Sequence, residues 1–149
     1  MKIGELAGAT ATSAETIRFY EREGLLAAPA RTGSNYRDYG PEHVERLTFI
    51  RHCRSLDMAL DEIRTLLRFK AAPQDDCAGV NALLDDHIGH VAARIRELRS
   101  LEKQLKALRE QCPQTQAAED CGILQALSDS GADAPAPRRG RRHIHGTHA

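Results

Sequence analysis

The sequence contains no tryptophan, and its other aromatic residues are three tyrosines and three phenylalanines. It has no apolar segment long enough to span a membrane, and its start, MKIGELAGAT, lacks the apolar run of a secretion signal. Proline and glycine cluster at few places, and helix-forming residues dominate elsewhere. We therefore expect a soluble, mainly α-helical protein of the cytoplasm, with no membrane partner.

Cysteine is also scarce, with four residues in the whole chain. In a reducing cytoplasm these four are expected to be thiols or metal ligands and not a disulfide framework. Cys53 lies in an apolar helical stretch and is interpreted as an ordinary buried cysteine. Cys112 and Cys121 stand nine residues apart, and Cys77 lies far upstream.

The chain has no excess of charge of either sign, since 21 basic residues balance 21 acidic ones. The distribution is uneven. Residues 1–70 carry 11 Lys/Arg against 10 Asp/Glu, residues 71–137 carry 6 against 11, and residues 138–149 carry four arginines and no acid. Overall charge therefore gives no reason to expect nucleic-acid binding, and such a function must depend on where particular arginines point.

The first 70 residues carry the pattern of a helix-turn-helix. Residues 3–9 suit a short helix, and Thr12 and Glu15 have the spacing of a capping box that starts a second helix, which Gly24 ends. The turn at residues 33–35 predicts a small hairpin. Two more helices are expected, one opened by Pro41 and one from about Leu60 to Phe69.

A long helix is predicted over residues 77–111, with an apolar seam of coiled-coil spacing. A narrow seam has little to bury against in its own chain, so a partner helix and a homodimer are expected. Pro113 ends this helix, and a short amphipathic helix follows near residues 122–131. The remaining tail is low in apolar residues and is expected to be disordered. The seam consists of Leu84, Ile88, Val91, Ile95 and Leu98, continued after a three-residue step by Leu101, Leu105 and Leu108.

Several side chains of the first domain are suited to DNA. Arginine can fork onto guanine or hold a phosphate, and tyrosine and threonine can donate to phosphates. The alternative interpretation is that they are solvated surface residues. The candidates are Thr16, Arg18 and Tyr20 on the second helix and Tyr36 and Arg37 in the hairpin.

Four stretches together resemble the MerR family of bacterial transcription regulators: IGELA, ETIRFYEREGLL, NYRDYG and HVERLTFIRHCRSLDMALDEIRTLL. The resemblance runs from Ile3 to beyond Cys121. It implies a homodimer that binds promoter DNA through Thr16, Arg18, Tyr20, Tyr36 and Arg37. It also implies that the effector-bound dimer distorts the promoter so that RNA polymerase can engage it. Such a protein is not an enzyme, and His43, His52 and the carboxylates form no recognisable catalytic set.

The expected organisation combines the pattern with the resemblance. It is mainly α, with a winged helix-turn-helix DNA-binding domain, a long antiparallel coiled-coil dimerisation helix and a short C-terminal helix. The expected segments are 1–70 for DNA binding, 71–111 for the linker and dimerisation helix, 112–131 for a metal-binding loop with the short helix, and 132–149 for a flexible His/Arg-rich tail.

The three remaining cysteines cannot all meet within one chain. Cys77 and Cys112 are 35 residues apart, about 50 Å along a straight helix, whereas zinc–sulfur bonds are about 2.3 Å. The antiparallel helix pairing that the resemblance implies would place Cys77 of one subunit beside Cys112 and Cys121 of the other. The dimer would then have two equivalent metal sites. Asp120 is a plausible N-cap of the short helix, whose N-terminus would favour the Cys121 thiolate.

The identity of the metal follows from ligand chemistry and resemblance. Three thiolates select soft ions, and the sequence resembles the cadmium- and lead-responsive branch, so Cd(II) is favoured first and Pb(II) second. Zn(II) and Hg(II) remain open. The alternatives are a thiol redox sensor with a Cys112–Cys121 disulfide and a cytosolic metal buffer or chaperone.

A second metal site is suggested by histidines. His87 and His90 are three residues apart and share a helix face. The tail could add His143, His145 and His148. The alternative is that the helix pair flanks the seam and that the tail is a loose chelator or contacts DNA phosphate.

Overall fold

The computed structural model describes residues 1–129. The chain forms two compact units, Met1–Leu83 and a second that begins at Leu84. The predicted tail, with His143, His145 and His148, lies outside the described residues. The mainly helical fold class is confirmed. The elements in chain order are α1 (Ile3–Thr10), α2 (Ala14–Arg22), β1 (Ala30–Arg31), β2 (Arg37–Asp38), α3 (Pro41–Ser55), α4 (Leu60–Lys70), α5 (Ala78–Arg109), a 3₁₀ turn (Ala118–Asp120) and α6 (Gly122–Asp129).

The first unit is built around an apolar core drawn from α1 to α4 and from the segments that connect them. Burial of such side chains is the main favourable term in folding. Partly buried Val80 and Leu83, from the first turns of α5, pack against the same core, and the first compact unit accordingly runs to Leu83. The largest fully buried side chains are Leu6, Ile17, Leu25, Tyr39, Leu47, Ile50 and Ile63.

The break between α1 and α2 is short and polar. Ala11 adopts the left-handed conformation, which ends α1. The predicted cap of α2 at Thr12 was wrong, because the Thr12 hydroxyl donates to the Thr10 carbonyl, 3.1 Å away. Ser13 is the cap instead, and its hydroxyl oxygen accepts from the Thr16 N–H at 3.1 Å. Either hydroxyl could cap a helix, so the preceding turn decides which residue does.

The hairpin, or wing, consists of β1 and β2 paired antiparallel. His43, at the start of α3, holds both of its ends. The Gly40 N–H donates to His43 Nδ1 at 3.0 Å, and His43 Nε2 lies 3.1 Å from the Ala27 carbonyl. Because Nδ1 accepts, Nε2 carries the proton and donates. This buried imidazole therefore fixes the wing to the helical body.

A second connection joins the wing to α2 through Glu21, whose side chain is only 12 % exposed. One carboxylate oxygen accepts from the Tyr39 hydroxyl at 2.6 Å and the other accepts from Arg37 Nη1 at 3.1 Å. Burial and the hydrogen bond to Glu21 raise the pKa of Tyr39, so the phenol stays protonated and keeps donating. The wing thus has a fixed position relative to α2.

Helix α5 carries the predicted seam, and much of it faces solvent in the single chain. We call the five exposed residues the α5 stripe: Leu84, Ile88, Ile95, Leu101 and Leu105, which are 39 to 63 % exposed. A row of large apolar side chains in water is unfavourable, so the stripe supports the expectation of a partner helix. Among residues 1–129, no helix has both the length and the apolar content needed to cross a membrane.

Candidate functional site

One face of the first unit combines α2 with the wing. Arg18 is exposed on α2, and no hydrogen bond or ion pair within residues 1–129 occupies its guanidinium. Thr16 is partly buried, and its hydroxyl oxygen accepts from the Ser13 hydroxyl at 2.8 Å. Tyr36, at the turn of the wing, is 66 % exposed, with Lys2 Nζ 5.9 Å from its ring centroid. This face therefore presents donors and cations to solvent.

Two of the predicted DNA contacts have partners inside the protein. Arg37 bonds Glu21 through Nη1, but a guanidinium has five N–H donors, so others remain for a phosphate. Tyr20 is only 8 % exposed and belongs to the core. It lies three residues after Ile17 and so shares its buried helix face. We therefore assign the Tyr20 ring to packing.

The second candidate site is the loop between α5 and α6, which brings Cys112 and Cys121 together. The Cys112 side chain is close enough to Cys121 to help lower the pKa of the Cys121 thiol. Arg109, in the last turn of α5, donates through Nη1 to the Cys112 carbonyl at 2.6 Å. This bond fixes the backbone of Cys112 at the end of α5.

Gly122 closes this loop against the end of α5. A Cβ atom at position 122 would lie 2.3 Å from the Gln111 carbonyl oxygen, closer than any side chain tolerates. Only glycine permits this approach of the two backbone segments. The approach sets Cys112 and Cys121, the immediate neighbours of these two residues, side by side.

Cys121 itself occupies the capping position of α6. Hydrogen bonds from the backbone N–H groups of Leu124 and Ile123 to the Cys121 side chain lower the pKa of its thiol, the Leu124 bond having the larger effect. Cys112 adds a smaller effect in the same direction. The predicted cap at Asp120 was wrong, because Asp120 ends the 3₁₀ turn one residue earlier. A helix N-terminus that favours thiolate at Cys121 provides a ready ligand for a soft metal ion.

The other two cysteines differ from each other. Cys77 is exposed and directly precedes α5, and Asn81 Nδ2 lies 3.9 Å from its sulfur. Cys53 is buried in α3, where burial raises the pKa of its thiol. Cys53 is thus suited to packing, whereas Cys77 is open to a ligand or a partner.

His87 and His90 lie side by side on α5, as their spacing predicts. Their ring centroids are 6.3 Å apart and the rings are perpendicular. The three tail histidines and the basic stretch at residues 138–142 lie outside the described residues, so the helix pair is the part of this candidate site that has a geometry.

Residues 1–70 match the family described as MerR HTH family regulatory protein, and residues 44–108 match the family described as MerR, DNA binding. Together these matches cover more than half of the chain. The chain belongs to the MerR family. It is therefore a helix-turn-helix transcription regulator and not an enzyme, as the sequence predicts.

Three relatives place the chain within the MerR family. It is 48 % identical to the HTH-type transcriptional regulator ZntR homolog of Haemophilus influenzae over 74 % of this chain and 82 % of that protein. It is 35 % identical to the mercuric resistance operon regulatory protein of Bacillus cereus over 85 % of this chain and 96 % of that protein. The crystal structure of the transcription regulator PbrR691 from Ralstonia metallidurans CH34, in complex with lead(II), is similar with a TM-score of 0.75 and 48 % identity, covering 85 % of this chain and 98 % of that one.

Proposed function

We propose that this MerR-family, metal-responsive regulator is switched on by a soft divalent ion, Cd(II) first and Pb(II) second. The ligands would be Cys112 and Cys121 of one subunit and Cys77 of its partner. The main support is the loop geometry, because the close approach of Gly122 to Gln111 brings the neighbouring Cys121 and Cys112 together. The lowered pKa of the Cys121 thiol adds to it. Similarity to a lead-bound regulator supports the same class of ion.

The donor set favours ions softer than zinc. Sulfur ligands select soft ions, whereas structural zinc sites take four nitrogen or sulfur ligands. Residues 112–121 contain no histidine to complete such a set. Zn(II) and Hg(II) are therefore comparison ions in the experiment below.

The alternative function, a metal buffer or chaperone, does not account for the α2 and wing surface, because binding metal alone requires no such surface.

We propose that the α2 and wing surface binds promoter DNA, with Arg18 as its central contact and Thr16, Tyr36 and Arg37 around it. Arg18 has an exposed guanidinium that needs no release from an internal partner. Arg37 would hold a phosphate while Glu21 fixes its position. The α5 stripe supports a homodimer, and a dimer would bind two related half-sites. RNA polymerase in the cytoplasm would act on the distorted promoter.

Transcription reconstituted with purified polymerase should rise when Cd(II) is added to the wild-type protein on its own promoter region, with Pb(II) next. Arg18→Ala should lose this response at the same protein concentration, because loss of a guanidinium contact weakens DNA binding by about 1 to 3 kcal/mol. It should still bind the full complement of metal. Gel shifts measure promoter affinity, and metal titrations measure the number of ions bound.

Arg96→Ala is a matched control, since Arg96 is exposed on α5 in the second unit. It should bind promoter like the wild type. Equal promoter affinity of the Arg18 and wild-type proteins would remove Arg18 from the interface. If transcription rises with Zn(II) or Hg(II) and not with Cd(II) or Pb(II), the proposed effector ions are wrong.

We further propose that His87 and His90, with His143, His145 and His148, form a second site for an ion that accepts imidazole. The adjacent rings on α5 support this proposal. Deleting residues 138–149 should lower the number of Cd(II) ions bound per dimer and leave the thiolate-to-metal absorbance intact. Equilibrium dialysis with ultraviolet spectra measures both. Unchanged stoichiometry would remove the second site, and a loss of promoter affinity would assign the tail to DNA.

A further inference from the structure

The side-chain amide of Gln116 lies across the loop between α5 and α6. Its Nε2 atom is 2.9 Å from the Asp120 carbonyl oxygen and 3.9 Å from the Cys112 sulfur. A primary amide has two N–H donors, so one can serve the carbonyl while the other serves the sulfur. Gln116 thereby connects the first cysteine of the loop with the residue that precedes the second.

A second glutamine side chain contacts the 3₁₀ turn before Cys121. Gln125, on α6, donates through Nε2 to the Glu119 carbonyl at 3.2 Å. Two consecutive carbonyls of this turn are therefore held by side-chain amides. Gln116 differs from Gln125 because it also contacts a cysteine sulfur.

We infer that Gln116 is a positioning residue of the metal loop, an inference that rests on the function proposed above. Its bond to the Asp120 carbonyl fixes the backbone that carries Cys121. Its contact with the Cys112 sulfur orients that sulfur within the loop. When Cys112 is a metal-bound thiolate, the amide N–H withdraws electron density from the sulfur. Groups that bond to metal ligands orient them and tune the metal in this way.

The test compares Gln116→Leu with Gln114→Leu. Leucine is apolar and removes both N–H donors of the amide. The Gln114 variant is the matched control, because Gln114 lies in the same exposed loop and takes part through its backbone carbonyl, which accepts from Cys112 at 3.3 Å and which the substitution retains. Gln116→Leu should bind Cd(II) about tenfold more weakly, and Gln114→Leu should match the wild type.

A spectroscopic measurement separates tuning of the sulfur from support of the backbone. Loss of the N–H donor raises the energy of the sulfur electrons, so the thiolate-to-cadmium charge-transfer band of Gln116→Leu should move to longer wavelength. In the metal-free protein, amides of residues 117–122 should exchange hydrogen faster in Gln116→Leu than in Gln114→Leu. This second measurement needs no metal.

The outcomes distinguish the two proposals. A wild-type protein that binds no soft ion overturns the proposed function, and the exchange rates then decide alone whether Gln116 holds the loop. Equal affinity, spectrum and exchange in the two variants overturn the inference. Faster exchange with unchanged affinity and spectrum overturns the role of Gln116 toward the metal.

Discussion

Cys112→Ser should abolish metal-induced transcription while promoter affinity stays near that of the wild type. A serine hydroxyl does not ionise at neutral pH and is a poor ligand for a soft ion, whereas the thiolate is the form that binds. The DNA-binding candidates Arg18 and Arg37 belong to the first unit, and Cys112 belongs to the second. Transcription at increasing Cd(II) and a gel shift without metal measure the two properties.

Cys53→Ala is the matched control, because it removes a cysteine that is buried in α3. It should respond to metal normally at temperatures where it stays folded, even if the cavity lowers its stability. Activation of the Cys112→Ser protein by Cd(II) would show that the ligand assignment is wrong.

Mixed dimers should show that the metal site is shared between subunits. A dimer of one Cys77→Ser chain and one Cys112→Ser chain should bind one Cd(II) in the thiolate site, because one half-site loses both altered ligands and the other loses neither. Each pure mutant dimer should bind none there, and the wild type should bind two. Two affinity tags isolate the mixed species, and thiolate-to-metal absorbance counts the sites.

Dimers that mix wild-type and Cys112→Ser chains provide the control, since they should also retain one site. The opposite result would be an equal loss of binding in mixed and pure mutant dimers. That result would place Cys77 in a site with Cys112 of its own subunit.

The sequence predicted the element types well because their signals are local. Pro41 opens α3, and Gly24, which has a positive φ, follows α2. The cap positions were less predictable. Ser13 and Thr12 both carry a hydroxyl, and Asp120 and Cys121 are neighbours, so the choice within each pair depends on turn geometry that one sequence does not encode locally.

Residues with distant partners could not be predicted from spacing. Glu21 is separated by 16 and 18 positions from Arg37 and Tyr39, and nothing in the sequence of α2 distinguishes it from a solvated acid. Gly122 carries no signal that Gln111 approaches it. The sequence does not distinguish Gln116 from an ordinary polar loop residue, although its separation of four positions from Asp120 allowed a contact. That Cys112 and Cys121 would flank one loop was predictable, because Pro113 ends the long helix and an amphipathic helix follows; their role as metal ligands stays a prediction.

The α5 stripe makes protein concentration a thermodynamic variable for this regulator. If a second chain covers these five leucine and isoleucine side chains, mass action ties the free energy of unfolding to the concentration of protomers. Dilution would lower the melting temperature without any change of buffer or sequence. A cell that makes few copies would then hold part of its regulator as separate chains, and promoter DNA, by binding the paired form, would gather those chains into dimers.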